Sequence, residues 1–262
     1  MTKIDDEKTA VLSDRLYHSL KSRVPIDPVS KTNPEIDINA AYAIQLRNVE
    51  KELAAGAHIS GKKIGLTSEA MQTLMGVAEP DYGHLLDTMA VQGGVIQANT
   101  MLQPRVEAEI AFVLKDDLTG PGITREDVIA ATDHVVAALE IVDSRVRDWK
   151  ITIIDTVADN ASSGRYVLGD KPCAPQDIDL IVENMTLSKN GEVVNSGSGS
   201  AVLGDPAYCV AWLANRMSDF GVTLNKGEVV LSGALSAALD ALKGDVFRAE
   251  FSTLGSVSVE FV

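Results

Sequence analysis

Cysteine is almost missing from this sequence: Cys173 and Cys209 are the only two in 262 residues. That count excludes a disulfide framework and a multi-cysteine zinc site. Basic side chains are also outnumbered, 23 Lys and Arg against 37 Asp and Glu, for a formal net charge of −14. Neutralising nucleic-acid phosphates or an anionic membrane takes clustered Lys and Arg, so neither partner is expected. No apolar run approaches the roughly 20 residues that cross a bilayer, because Lys, Asp, Glu or Gly interrupts each one. The opening Met1-Thr2-Lys3-Ile4-Asp5-Asp6 lacks the basic flank and apolar stretch of a signal peptide, and a reducing cytoplasm is the expected setting. His18, His58, His84 and His134 form no ligand pattern, and only His84 neighbours a candidate site segment, Asp81-Tyr82-Gly83.

What is present is 45% hydrophobic residues, ample for a core. The length allows one large domain or one domain with a smaller appendage. The first 60 residues read as a helical segment. Leu12, Leu16 and Leu20 repeat at helical spacing, as do Tyr42, Leu46, Val49 and Leu53. Asp37 is placed to cap the second helix and Gly56 to end it, with a Pro-rich connector from Val24 to Pro34 between the two helices. Residues 61–262 read as a catalytic, β-rich domain. Lys62 to Leu66, Val106 to Leu114, Val135 to Val142, Met185 to Ser188, Val193-Val194, Val229 to Leu231, Val246 to Phe251 and Ser256 to Phe261 suit strands. Asn190-Gly191 marks a hairpin turn. One helix interrupts, with Asp205 as cap, Pro206 in the first turn and Gly221 at the end. Strands dominate without alternating regularly with helices, so the expected class is α+β with a mixed β-roll or sandwich core. Ser196-Gly197-Ser198-Gly199-Ser200 lacks the context of a phosphate loop and reads as a flexible loop.

The chemistry concentrates in Val106-Glu107-Ala108-Glu109-Ile110-Ala111-Phe112-Val113. Alternation puts Val106, Ala108, Ile110 and Phe112 on one wholly apolar face and Glu107 with Glu109 on the other. Two carboxylates on a desolvated face are costly without a cation between them, whereas on an edge strand they would face water. Glu140 lies in the apolar run from Val135 to Val142, where a carboxylate must be paired, protonated or metal-bound. Arg145 and Arg105 are the candidate partners for a buried ion pair. Three glutamates on adjacent strands would otherwise make an all-oxygen site for a hard cation such as Mg²⁺ or Mn²⁺. Two further segments suit a site: Gly61-Lys62-Lys63-Ile64-Gly65-Leu66-Thr67, and the small, polar stretch from Asp155 to Gly164, which reads either as pocket lining or as a capped loop.

Taken together, these stretches resemble the 2-hydroxypenta-2,4-dienoate (2-oxopent-4-enoate) hydratases of meta-cleavage pathways for aromatic and steroid degradation, in the fumarylacetoacetate hydrolase-like superfamily. The resemblance runs from Ala40 to Val257. It is carried most specifically by Lys63 to Thr67, Glu79 to Gly83, Gln103 to Glu109, Val142 to Lys150 and Asp155 to Ser162. It implies that Glu107, Glu109 and Glu140 hold a divalent metal, that Lys63 and Asp81 handle protons or position water, and that Ser162 lines the pocket. It also implies a small 2-oxo or 2-hydroxydienoate substrate, no organic cofactor, and a homo-oligomer, a pentamer or decamer. The related 4-oxalocrotonate decarboxylases share the scaffold, as would a hydratase of a longer 2-hydroxydienoate. Arg165 departs from the apolar residue expected there in hydratases and is the candidate to bind a second substrate carboxylate.

Overall fold

Capping and patterning set the N-terminal helices of the protein, whose computed structural model describes residues 6–262. Met1 to Asp5, most of the stretch inspected for a targeting signal, lie outside the described residues. Helix α1 (Asp6–Ser22) buries Leu12 and Leu16. A short turn of helix, α2 (Val29–Thr32), follows the connector. Helix α3 (Ile38–Ala54) starts where the Asp37 side chain accepts the Ala40 N–H and gives way at Gly56, whose φ is +100°. Its buried face is Ala41, Tyr42, Ile44, Gln45 and Val49, so the stripe is rotated from the expected one, and Leu46 and Leu53 face outward.

The remaining chain runs β1 (Ile59–Gly65), α4 (Glu69–Met75), β2 (Asp81–Leu86), β3 (Val95–Ile96), β4 (Pro104–Leu114), α5 (Arg125–Ala131), β5 (Thr132–Asp143), α6 (Ile153–Ala158), β6 (Ser163–Leu168), β7 (Asn184–Lys189), β8 (Glu192–Ser198), α7 (Pro206–Ser218), β9 (Val229–Ala234), β10 (Leu239–Asp240), β11 (Val246–Phe251) and β12 (Gly255–Phe261). One sheet has the order β2-β1-β9-β4-β5-β6, with β10 added to β4, and the second is β3-β12-β11-β7-β8. Among these strands of the described residues, β1 with β9 and β3 with β12 pair in parallel, and the other pairs are antiparallel. The second sheet packs on β5 and β6, and α7 packs on β9. The class is α+β, with mixed sheets and a helical N-terminal segment.

The long strands β4 and β5 explain the site's position. The apolar face of β4 (Val106, Ala108, Ile110, Phe112) is buried in the main core. Its other face continues past the glutamates as Ala111, which joins Leu85, Val136, Ala138, Tyr166 and Leu231 in a smaller buried cluster. With both faces covered, the edge-strand reading of Glu107 and Glu109 does not hold.

Two expected loops are ordered. Ser196 to Ser198 finish β8, and Gly199–Ala201 form a 3-10 turn. A side chain at Gly197 or Gly199 would collide with the Leu235 or Leu180 carbonyl. Those glycines therefore permit close backbone packing rather than flexibility. Asp155 to Gly164 form most of α6, a 3-10 turn at Asn160–Ser162, and the start of β6.

Candidate active site

Register puts Glu107 of β4 directly opposite Glu140 of β5, while Glu109, two residues along the same face, faces Ala138. One carboxylate oxygen from each of the three glutamates lies within 4.8 Å of the others. Glu109 and Glu140 are essentially inaccessible, at 0% and 1%, and Glu107 is half-buried. Glu109 Oε2 accepts the Gly233 N–H at 2.8 Å. Glu109 Oε1 and both Glu140 oxygens are buried without a hydrogen bond among the described residues. Unsatisfied buried carboxylate oxygens are expensive, and these three converge.

Among the described residues, the buried cation facing them is Lys63, in the middle of β1, with Nζ 3.2 Å from Glu140 Oε1. The expected partners of Glu140 are engaged elsewhere. Arg145 pairs with Asp159, and Arg105 Nε donates to Asp240 at 2.7 Å. Asp81 opens β2 opposite Gly65 of β1, and its Oδ1 is buried without a hydrogen bond among the described residues. A side chain at position 65 would strike the Asp81 carboxylate, so the glycine makes room for the acid.

The charges do not balance. Burial pushes the Glu107 carboxyl up to about 7, reinforced by Glu140 and partly opposed by Lys63. Burial, then Glu140 and Glu107, holds Glu109 well above the carboxylate range. Glu140 is raised by burial against the pull of Lys63. Asp81 rises to about 6, through burial foremost, with Lys63 opposing and Glu140 adding. Burial disfavours the Lys63 ammonium, but Glu140, Asp81, Glu107 and Glu109 outweigh it and hold its pKa above the ordinary value. Four carboxylates around one ammonium leave a deficit of positive charge that a divalent cation fits. An all-carboxylate donor set suits a hard ion.

A cavity of about 770 Å³ opens beside this cluster, lined by Lys63, Asp81 and Glu107 and, from α6 and the turn after it, Thr156 and Ser162. Ser162 is buried in the left-handed conformation (φ 56°), and its hydroxyl has no hydrogen-bond partner among the described residues. The opposite wall is apolar, from Leu66 and from Met71, Leu74 and Met75 of α4. The sequence reading passed over α4, although Ser68 caps it and Gly76 ends it in the left-handed region. Arg105 reaches the cavity from the side, stacked 4.5 Å over the Trp149 ring.

Arg165 is not in this cavity. Tyr166 is the residue opposite Glu140, so Arg165, one position earlier and opposite Ile141, points to the other face of the sheet. It lines a separate cavity against α1 and α3. His84 is also elsewhere: its Nδ1 lies 3.1 Å from Gln45 Oε1, and burial, with Lys62 nearby, lowers its pKa to about 3. The Gln45 amide in turn donates to the carbonyls of Tyr82 (3.1 Å) and Val157 (2.9 Å), tying α3 to two walls of the site.

Residues 84–262 match the family model described as fumarylacetoacetate (FAA) hydrolase C-terminal. The chain is 46% identical over 250 residues to a 2-hydroxyhexa-2,4-dienoate hydratase of Comamonas testosteroni, covering 94% of this chain and 95% of that one. It is 47% identical over 247 residues to a 2-keto-4-pentenoate hydratase of Paraburkholderia xenovorans (strain LB400), covering 94% and 92%. Among solved structures, the 4-oxalocrotonate decarboxylase of Pseudomonas putida G7, complexed with magnesium and adipate, superposes with a TM-score of 0.96 at 37% identity over 99% of both chains. With the three glutamates, Lys63 and Asp81 set in this fold, the chain belongs to the fumarylacetoacetate hydrolase C-terminal family, in the branch of the 2-hydroxydienoate hydratases.

Proposed function

We propose that this chain is a divalent-metal-dependent hydratase that converts 2-hydroxypenta-2,4-dienoate and water to 4-hydroxy-2-oxopentanoate, a step of meta-cleavage catabolism. The observation that carries the reading is the convergence of unsatisfied oxygens of Glu109 and Glu140, with Glu107 beside them, in a chain 46–47% identical to named hydratases. Glu107, Glu109 and Glu140 would hold Mg²⁺ or Mn²⁺, which when bound supplies a Lewis acid for the substrate's C1 carboxylate and C2 oxygen. The magnesium in the decarboxylase relative fits that assignment.

The chain's own groups account for the proton movements. The dienol loses its O–H proton and gains one at C5, giving 2-oxopent-3-enoate. Water then adds across C3 and C4, its hydroxyl going to C4 and a proton to C3. Asp81, with a pKa near 6, can carry a proton in either direction close to neutrality. Lys63 stays charged, attracts the substrate carboxylate and holds Asp81 in place. Ser162, with a free hydroxyl, hydrogen-bonds a substrate oxygen or the incoming water. The apolar wall of α4 packs on the vinyl end and excludes bulk water. No organic cofactor takes part, because the substrate's own 2-oxo group accepts the electrons.

A 4-oxalocrotonate decarboxylase is the second reading, favoured by the TM-score of 0.96 to that enzyme with adipate bound. A dicarboxylate needs a second cation at the far end of the cavity. Arg165 points away, and Arg105 is engaged by Asp240, so the hydratase reading is preferred. A hydratase of a 2-hydroxydienoate one carbon longer fits the same apolar wall. Ultraviolet absorbance and CO₂ release from both substrates, with and without Mg²⁺, decide among these.

In this reading residues 61–262 form the catalytic unit, residues 1–60 are an N-terminal appendage whose described part is helical, and the enzyme works in the cytoplasm as a homo-oligomer of five or ten copies. Among the described residues no helix is long and apolar enough to cross a membrane. The outward Leu46 and Leu53 of α3 and Val246 of β11 supply apolar surface for self-association.

A further inference from the structure

The second cavity, about 340 Å³, lies between α1 and α3 on one side and the start of β6 on the other. Its volume falls within the usual range for small-molecule sites, roughly 300–1,000 Å³. Leu20, Val49 and Met101 give it an apolar body. Four cationic side chains and three acidic ones line it. Lys21 is paired with Glu52, and Arg145 with Asp159. That leaves Arg23, and Arg165 near the carboxylate of Asp143, which is already occupied by the backbone N–H groups of Leu102 (3.0 Å) and Gln103 (2.7 Å). Arg23 and Arg165 make no ion pair among the described residues, and they lie close enough to repel one another. Among the described residues, the guanidinium of Arg165 donates only to the Gly164 carbonyl, at 3.0 Å. In a chain of net charge −14, two guanidiniums without an ion pair among the described residues, lining one partly apolar cavity, form an unmet demand for an anion.

We propose that this cavity is a second ligand site, taking a small monocarboxylate with a short apolar chain, its carboxylate held between Arg23 and Arg165 and its chain against Leu20, Val49 and Met101. One surplus positive charge matches one carboxylate, and the apolar floor selects an alkyl body over a hydrophilic anion. The site adjoins the catalytic cavity through one segment. Asp159, Asn160, Ser163, Gly164 and Arg165 line the second cavity, while Ala161 and Ser162 between them line the first. Asn160, Ala161 and Ser162 are all left-handed, with φ of 56°, 49° and 56°, a conformation that non-glycine residues hold only under constraint. An occupant of the second cavity therefore rests against the segment that aims Ser162.

Isothermal titration of hexanoate into wild-type protein, Arg23→Ala, Arg165→Ala and Glu140→Gln tests this. Arg23 is exposed, so its replacement leaves the fold and the basal hydration rate unchanged. Loss of a charge-assisted contact should weaken hexanoate binding about ten- to a hundredfold in each arginine variant, while Glu140→Gln binds it as wild type does. Hexanoate should also shift the KM for the dienoate in wild type but much less in Arg23→Ala. Binding that survives both arginine replacements, that disappears in Glu140→Gln, or that is absent from wild type overturns the proposal. The binding arm does not depend on which reaction the enzyme performs.

Discussion

Glu107 and Glu140 stand directly opposite each other on adjacent antiparallel strands, in a sheet buried on both faces. Like charges at opposed positions destabilise a sheet, and here desolvation adds to the cost. Lys63 answers part of it. The remaining negative charge gives the metal-free fold a built-in weakness at the spot where its chemistry is proposed.

Removing one of these charges should have opposite effects on stability and on metal binding. Glu107→Gln should raise the thermal midpoint of the metal-free protein while weakening Mn²⁺ by about a hundredfold or more, beyond the 10–100-fold typical of outer-shell changes. Calorimetric Mn²⁺ titration beside thermal unfolding checks both signs. A lower midpoint with unchanged Mn²⁺ affinity would make the cluster a structural ion-pair network.

Metal binding should release protons near neutral pH. The Glu107 carboxyl is raised from 4.5 to about 7 in the metal-free fold. The folded state therefore binds more protons than the unfolded chain between those values. Stability of the metal-free protein should accordingly fall as pH rises through that window. A divalent ion displaces those protons, so its binding enthalpy at pH 6.5 should depend on the ionisation enthalpy of the buffer. Identical enthalpies in phosphate and Tris would contradict this.

Asp81→Asn keeps the shape and removes the titration. Hydration should slow by about a hundred- to ten-thousandfold, and any inflection near pH 6 in kcat/KM should disappear. Lys63→Met should slow the reaction as well, with a rise in KM, because the substrate carboxylate loses its buried cation. A pH profile unchanged in Asp81→Asn would move the proton-carrying role elsewhere.

Arg165→Ala should leave the hydration rate of the monocarboxylate dienol essentially unchanged in the absence of hexanoate, since strand alternation points this side chain away from the glutamates. Steady-state kinetics check this. A large drop in kcat would mean that the two cavities are coupled even when the second is empty.

Much of this was legible from residue type and spacing. The glutamates stood out because charged residues in apolar, strand-forming runs must find partners, whereas Lys63 and Asp81 were marked by the family resemblance. Asp37, Asp205 and Gly221 marked helix ends by chemistry that acts locally. The misreadings arose where tertiary context decides. Nothing local says that Arg145 is taken by Asp159 and Arg105 by Asp240, leaving Glu140 to Lys63 from a strand far away in sequence. The orientation of Arg165 depended on the β5–β6 register, which residue type and spacing do not give. Leu46 and Leu53 fit the helical period but lie on the uncovered side of α3, because Gln45, a polar residue, is drawn into the core by the Tyr82 and Val157 carbonyls. The Ser196 to Ser200 glycines carry the composition of a loop but serve close packing.

Hydration of a monocarboxylate dienol by the three glutamates and Asp81 is tested most directly by giving Mg²⁺-loaded enzyme 2-hydroxypenta-2,4-dienoate and 4-oxalocrotonate in parallel, following loss of the dienol absorbance and release of CO₂. The expected result is rapid Mg²⁺-dependent formation of 4-hydroxy-2-oxopentanoate from the first and little CO₂ from the second; faster CO₂ release from 4-oxalocrotonate than hydration of the dienol would contradict it.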